Sequence, residues 1–156
     1  MTSTIAHPVG ATDPSTLLDR ETRNRLANRI TADHPDITPG MAQRIVNQTL
    51  AFVATSGRTP GQGMSPSRLV DIGWHTFILH TVDYARYCER VASRFVHHVP
   101  TENAGETPGE AAAVLTRTMS AIEDAGFTLD TELWLAAADC SQCHEGCTDS
   151  PNNPKK

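Results

Sequence analysis

The sequence predicts a single all-α domain, a compact bundle of five to six short helices with a Cys-rich C-terminal segment. Helix-period apolar residues recur along the chain, and a helix-start signal precedes them four times. In each signal a capping side chain can accept from a free backbone N–H, and the proline that follows has no N–H to leave unpaired. The four signals are Asp13-Pro14, Thr38-Pro39, Ser65-Pro66 and Thr107-Pro108.

Each helix also has a predicted end. The first is expected to run from Pro14 to about Ala32, because the residue before Pro35 avoids the helical region. Gly57 and Gly126 are expected to end two later helices, since glycine readily adopts the left-handed conformation that follows a helix. After the first helix, the sequence predicts helices at 39–55, 66–80, 82–93, 108–125 and 131–138. The alternative to a break at His80-Thr81 is one helix that continues to about Phe95.

Length and charge limit the classes of protein that this chain can represent. We expect a disordered N-terminus at 1–12, one helical domain at 13–148 and a flexible tail at 149–156. The net charge of -5 argues against a nucleic-acid partner. No apolar run is long enough for a membrane span, and the N-terminus does not resemble a secretory signal. We therefore expect a cytoplasmic protein with reduced thiols, in which clustered cysteines indicate metal or redox chemistry.

The central stretch, residues 71–100, carries four of the seven histidines. Asp71 and His75 are four positions apart, so they share one face of a helix. A carboxylate in that position can bind the same metal ion as the imidazole or can orient the imidazole. Of the pair His97-His98, only one side chain is expected to face inward. The sequence does not decide which one, and His98 is named as the candidate ligand. Each of these residues also has an ordinary structural role open to it.

Three cysteines near the C-terminus give the sharper signal for a metal. Cys140 and Cys143 have the C-x-x-C spacing at which two thiolates bind one zinc ion, and Cys147 adds a third thiolate. A tetrahedral site needs one more ligand. His144 is close in sequence, but His75 or His98 would also fasten the C-terminal segment to the bundle. The predicted metal ligands are Cys140, Cys143, Cys147, His75, His98 and Asp71, with zinc as the cofactor.

Several alternatives stay open from the sequence. Asp71, His75 and His98 could form a separate metal site with an open position, as in metal-dependent enzymes. The cysteines could instead form a thiol redox sensor, an iron–sulfur site or a haem attachment site of the C-x-x-C-H type. The function predicted first is a metal-binding helical protein that acts as an interaction or regulatory module with an unknown protein partner. The sequence does not decide whether the protein is an enzyme.

The central stretch resembles the Trp-His segment of the glycine-rich domain-containing protein-like family. Its residues Asp71, Trp74-His75, Tyr84, Cys88 and His97-His98 match the acid, the Trp-His pair, the tyrosine, the cysteine and the downstream histidine of that segment. The whole chain is also similar to small uncharacterised actinobacterial proteins with an AGF…LW stretch and a C-x-x-C-H ending. A glycine-rich domain is missing, since the ten glycines are dispersed. The resemblance implies no established activity, but it supports the choice of residues.

Overall fold

The computed structural model describes residues 10–99 and 107–140, with side chains up to residue 135. As predicted, this part of the chain is all-α. A single 3-10 turn precedes the first α-helix, and a π-helical turn directly follows the fourth. In chain order the elements are the 3-10 turn Pro14–Leu17, α1 (Arg20–Asp33), α2 (Pro39–Arg58), α3 (Arg68–Leu79), α4 (Thr81–Tyr87), the π-helical turn Cys88–Ala92, α5 (Pro108–Asp124) and α6 (Thr131–Cys140).

Two of the four predicted helix starts are confirmed and two are displaced. Thr38 caps α2, and Thr107 caps α5. Asp13 starts only the 3-10 turn, after which Asp19 caps α1 by accepting from Thr22. The start predicted at Ser65-Pro66 is wrong, because Ser67 accepts from the N–H of Val70 and so begins α3 two residues later. A second good capping residue nearby was enough to move both boundaries.

Helix α2 lies at the centre of the bundle, and small residues let its neighbours approach closely. Its residues from Gln48 to Gly57 are all buried. A Cβ atom on Gly57 would lie 2.2 Å from the backbone oxygen of Ala92, and one on Gly73 would lie 2.1 Å from Thr49 Oγ1. Because α2 continues to Arg58, the prediction that Gly57 ends it is wrong. This glycine lies inside the helix and makes room for the π-helical turn.

The predicted break near His80 is confirmed, and it sets the path of the chain after α3. His80 separates α3 from α4, and its backbone oxygen accepts from the N–H of Tyr84. After the π-helical turn, Ser93 adopts a left-handed conformation with φ of 65°. Residues 94–99 then run without helical structure, and Val96 is buried against the bundle. The break and the left-handed residue together return the chain towards α3.

Helices α5 and α6 complete the bundle, with α5 packed against α2 and α6 packed against α3. Gly126 ends α5 in the left-handed region with φ of 87°, as predicted. Arg44 of α2 binds Asp130 at 2.7 Å and Glu132 at 2.9 Å, which joins α2 to the start of α6. Hydrogen bonds to these two carboxylates raise the pKa of Arg44 above its usual range. Trp134 is buried, and its Nε1 donates to Gln48 at 2.8 Å.

The start of α5 should weaken on acidification. Thr107 and Glu110 form a capping box, and hydrogen bonds from the N–H and hydroxyl of Thr107 lower the pKa of Glu110. The pKa of Glu110 is lower in the folded state than in the unfolded state. The stability that its ionised carboxylate contributes is therefore complete above the unfolded pKa and is lost as the pH falls through the folded pKa. We expect Glu110→Gln to be less stable than wild type at neutral pH and equal to it in acid. Urea unfolding across that pH range checks this, and a difference that persists in acid would contradict it.

No helix among residues 10–99 and 107–140 is long and apolar enough to cross a membrane.

Candidate metal centre

Helix α3 presents a carboxylate and an imidazole on the same face. Asp71 and His75 are one turn apart, and His75 Nδ1 lies 3.2 Å from Asp71 Oδ2. The same nitrogen lies 2.9 Å from the backbone oxygen of Asp71. Because a carbonyl oxygen can only accept, Nδ1 of neutral His75 carries the proton, and Nε2 keeps its lone pair. The contacts of Nδ1 with Asp71 thus fix the orientation of the His75 ring on α3.

The second imidazole comes from the segment that returns after Ser93. His98 Nε2 lies 3.1 Å from Asp71 Oδ1, and the His98 side chain is 20% exposed. The ring centroids of His75 and His98 are 4.2 Å apart. Asp71, His75 and His98, which we call the Asp-His-His cluster, can each offer one ligand atom such that all three atoms lie within 4.8 Å of one another.

A buried hydrogen-bonded pair holds the His98 segment in place. Trp74 Nε1 donates to the Tyr84 hydroxyl at 3.0 Å, and that hydroxyl donates to the backbone oxygen of Val96. Burial raises the pKa of Tyr84 above its usual range, so the phenol stays protonated and keeps its donor. The Trp74 ring also packs against the His98 ring, with centroids 4.5 Å apart. Tyr84 and Trp74 therefore fix the position of His98 two residues beyond Val96.

The predicted ligands divide into two groups. The structure brings together Asp71, His75 and His98, which are far apart in sequence except for the first pair. Cys143 and Cys147 lie outside the described residues, and so does the side chain of Cys140, although its backbone ends α6. The predicted meeting of these thiolates with His75 or His98 therefore stays a prediction.

The remaining residues of the central stretch have local roles. His97, the neighbour of His98, packs on Phe95 with ring centroids 4.7 Å apart. His80 Nδ1 lies 2.9 Å from the backbone oxygen of Thr76, which is the same local contact that His75 makes with Asp71. Tyr84 and Cys88 are fully buried core residues. Of the two adjacent histidines, His98 is thus the one that faces the Asp-His-His cluster.

The supporting roles of Trp74 and Tyr84 were not predicted from the sequence. The ten-residue separation of these two residues is not a helical repeat, and their contact arises only because the chain breaks at His80. The available signal was the buried character expected of Trp and Tyr, each of which usually pairs its polar atom when buried. That signal predicts a hydrogen bond but does not name the partner.

The fold and the Asp-His-His cluster define a small helical protein with a candidate cation site built from two imidazoles and one carboxylate. A family model described as UCP032817-like matches residues 15–124, and the chain belongs to this family. The assignment corrects the resemblance to the glycine-rich domain-containing protein-like family, since the matching model is a different one. No curated protein and no solved structure matches the chain.

Proposed function

We propose that this protein binds one divalent transition-metal ion, zinc in the first instance, through Asp71, His75 and His98. The observation that carries the proposal is that two imidazoles and one carboxylate can each offer a ligand atom within 4.8 Å of the other two. Their ligand atoms come from α3 and from a segment held against α3 by buried hydrogen bonds. The site thus combines ligand atoms of the right kind with a rigid support.

The spacing of the ligand atoms supports an ion of this size. Zinc binds nitrogen and oxygen at about 2.1 Å, so two ligands of a tetrahedral ion are roughly 3.4 Å apart. Asp71 Oδ1 and His98 Nε2 are 3.1 Å apart. In the protein without metal, His98 Nε2 donates its hydrogen to Asp71, and an ion would take the place of that proton. The Asp71 and His98 ligand atoms therefore lie near the separation that one tetrahedral ion requires.

The ligand types narrow the choice of metal. Imidazole favours zinc, copper, nickel and iron, whereas magnesium and calcium prefer oxygen ligands alone. Two histidines and one carboxylate are found in zinc sites and also in non-haem iron sites. Zinc is the first choice because it accepts this ligand set without imposing a geometry of its own.

A metal-dependent enzyme is a second candidate function, and the exposure of the site favours it. The Asp-His-His cluster supplies three ligands, and the side chain of His75 is 57% exposed. An ion held there would keep a position open on its solvent side, where a bound water could be activated. If a cysteine of the C-terminal segment or a partner side chain occupied that position, the same ion would serve an interaction or regulatory module.

The test is zinc binding by calorimetry, with the full chain and three single variants. We expect wild type to bind one ion, and His75→Ala and His98→Ala to lose at least about 100-fold in affinity, because loss of even an outer-shell partner costs 10- to 100-fold. His80→Ala is the matched control. It removes an imidazole that has the same local backbone contact but lies outside the Asp-His-His cluster, so its affinity should equal that of wild type.

The cysteines provide the second arm of this test. If Cys140→Ser with Cys143→Ser leaves zinc affinity and stoichiometry unchanged, the Asp-His-His cluster holds the ion alone. If this double variant loses affinity along with His98→Ala, the thiolates share the site. The proposal fails if His75→Ala and His98→Ala bind zinc as wild type does, or if wild type binds none.

A further inference from the structure

A cleft separate from the Asp-His-His cluster opens beside the C-terminal end of α2. It has a volume of about 250 Å³ and lies between the end of α2, the loop of residues 59–64 and the extended segment 94–99. Phe52, Met64 and Trp74 give it apolar walls, and Ser56 and Arg94 are among its polar lining residues. This volume is slightly below the usual range for drug-sized ligands, which indicates a small ligand.

Ser56 provides the first indication that the cleft binds a ligand. It is nine-tenths buried, and its Oγ has no hydrogen-bond partner among the described residues. Hydroxyl groups inside helices usually donate to the carbonyl four residues earlier. Thr49 and Thr55 in the same helix do so, at 2.8 Å each. Ser56 leaves that bond unmade, although an unpaired buried hydroxyl lowers stability.

Arg94 provides the second indication. Its Nε donates to the backbone oxygen of Gly57 at 3.0 Å, and one Nη donates to that of Ser56 at 2.9 Å. These bonds fix the guanidinium beside the cleft and use two of its five N–H groups. Among the residues that the structure describes, the lining includes no aspartate or glutamate, although acidic residues outnumber Lys and Arg by 18 to 13 in the whole chain. The cleft is therefore suited to an anion.

We propose that this cleft binds a small organic carboxylate, with its charged group near Arg94 and Ser56 and its apolar part against Phe52, Met64 and Trp74. A guanidinium can donate two parallel hydrogen bonds to a carboxylate. The Oγ of Ser56 is closed to solvent as the side chain stands, so its hydroxyl can donate a third bond only after rotation about the Cα–Cβ bond. The apolar walls select for a short hydrocarbon or aromatic portion. This binding goes beyond the proposed metal function, because none of the carboxylate-binding residues belongs to the Asp-His-His cluster.

The experiment titrates the full chain with hexanoate, hexanamide, hexylamine and acetate in the presence of a metal chelator. Calorimetry measures binding, and tryptophan emission reports it, since Trp74 lines the cleft. We expect saturable binding of hexanoate. Hexanamide and hexylamine should bind at least about tenfold more weakly, because charge-assisted hydrogen bonds are roughly twice as strong as neutral ones. Acetate should also bind more weakly, because it lacks the apolar portion.

Two serine variants separate a ligand contact from a structural role. Ser56→Ala should weaken hexanoate binding roughly two- to tenfold, the value of one hydrogen bond, while its melting temperature stays equal to that of wild type or rises. Ser67→Ala is the matched control. Ser67 is also buried, but its Oγ accepts from Val70 at 3.2 Å. That variant should melt at a lower temperature and bind hexanoate as wild type does.

The proposal is overturned if hexanoate shows no saturable binding at millimolar concentration, or if hexanamide binds as tightly as hexanoate. It is also overturned if Ser56→Ala leaves the hexanoate affinity unchanged or lowers the melting temperature as Ser67→Ala does. Because the titrations are made with chelator, their outcome is independent of the zinc experiments on His75 and His98.

Discussion

Replacing Tyr84 with phenylalanine should lower zinc affinity by roughly 10- to 100-fold, the usual cost of removing a group that orients a metal ligand. The hydroxyl of Tyr84 accepts from Trp74 Nε1 and donates to the backbone oxygen of Val96. Without it, both groups lose this hydrogen bond, and the segment that carries His98 loses its attachment. The phenyl ring would still fill the core, so the fold should be retained.

The same variant should also lose stability, but a control is needed to separate the two effects. With two buried hydrogen bonds removed, we expect a loss of about 2 kcal/mol in the free energy of unfolding. Tyr87→Phe is the matched variant, because Tyr87 is equally buried and its hydroxyl donates to the backbone oxygen of Leu50 at 2.7 Å. It should lose stability and keep wild-type zinc affinity. Equal zinc affinity in Tyr84→Phe and wild type would contradict the positioning role.

Replacing Gly57 with alanine should be among the most destabilising single changes in this chain. The new Cβ would lie 2.2 Å from the backbone oxygen of Ala92 and 2.5 Å from its Cβ. Neither atom belongs to a flexible side chain, so α2 and the π-helical turn would have to move apart. We expect a loss of about 3 kcal/mol or more in the free energy of unfolding, at the upper end for overpacked cores. Thermal unfolding should show a decrease of about 10 °C.

Gly40→Ala is the control for this change, because it makes the same substitution in the same helix. A Cβ on Gly40 meets no heavy atom within 4 Å. Alanine is the better helix former, so this variant should gain up to about 1 kcal/mol. If Gly57→Ala were as stable as Gly40→Ala, the close approach of α2 and the π-helical turn would not exist in the protein.

Local signals in the sequence predicted the helices well where one capping residue had no competitor. Thr38 and Thr107 caps are confirmed, and so is the break at His80. Ser67 and Asp19 displaced two other starts, since a capping residue nearby can replace the predicted one. Gly57 shows a different limit. A glycine can end a helix or make room for a neighbour, and only the tertiary packing decides between these roles.

The candidate site could be predicted only in part for a similar reason. The spacing of Asp71 and His75 fixes their common helix face, and the structure keeps it. That His98 rather than His97 joins them depends on the left-handed turn at Ser93 and on the hydroxyl of Tyr84. Ser56 and Arg94 carry no pattern in the sequence, because the cleft they line exists only after α2 and the segment 94–99 have packed together.

If the Asp-His-His cluster binds an ion as we propose, metal binding is linked to folding. His98 is 27 positions from Asp71, so the unfolded chain does not hold these two ligands close together. An ion that binds only the folded chain adds to the free energy of unfolding, and this contribution grows with the logarithm of the free ion concentration once that concentration exceeds the dissociation constant. The thermal stability of the protein is then a property of the metal content of its surroundings as well as of its sequence.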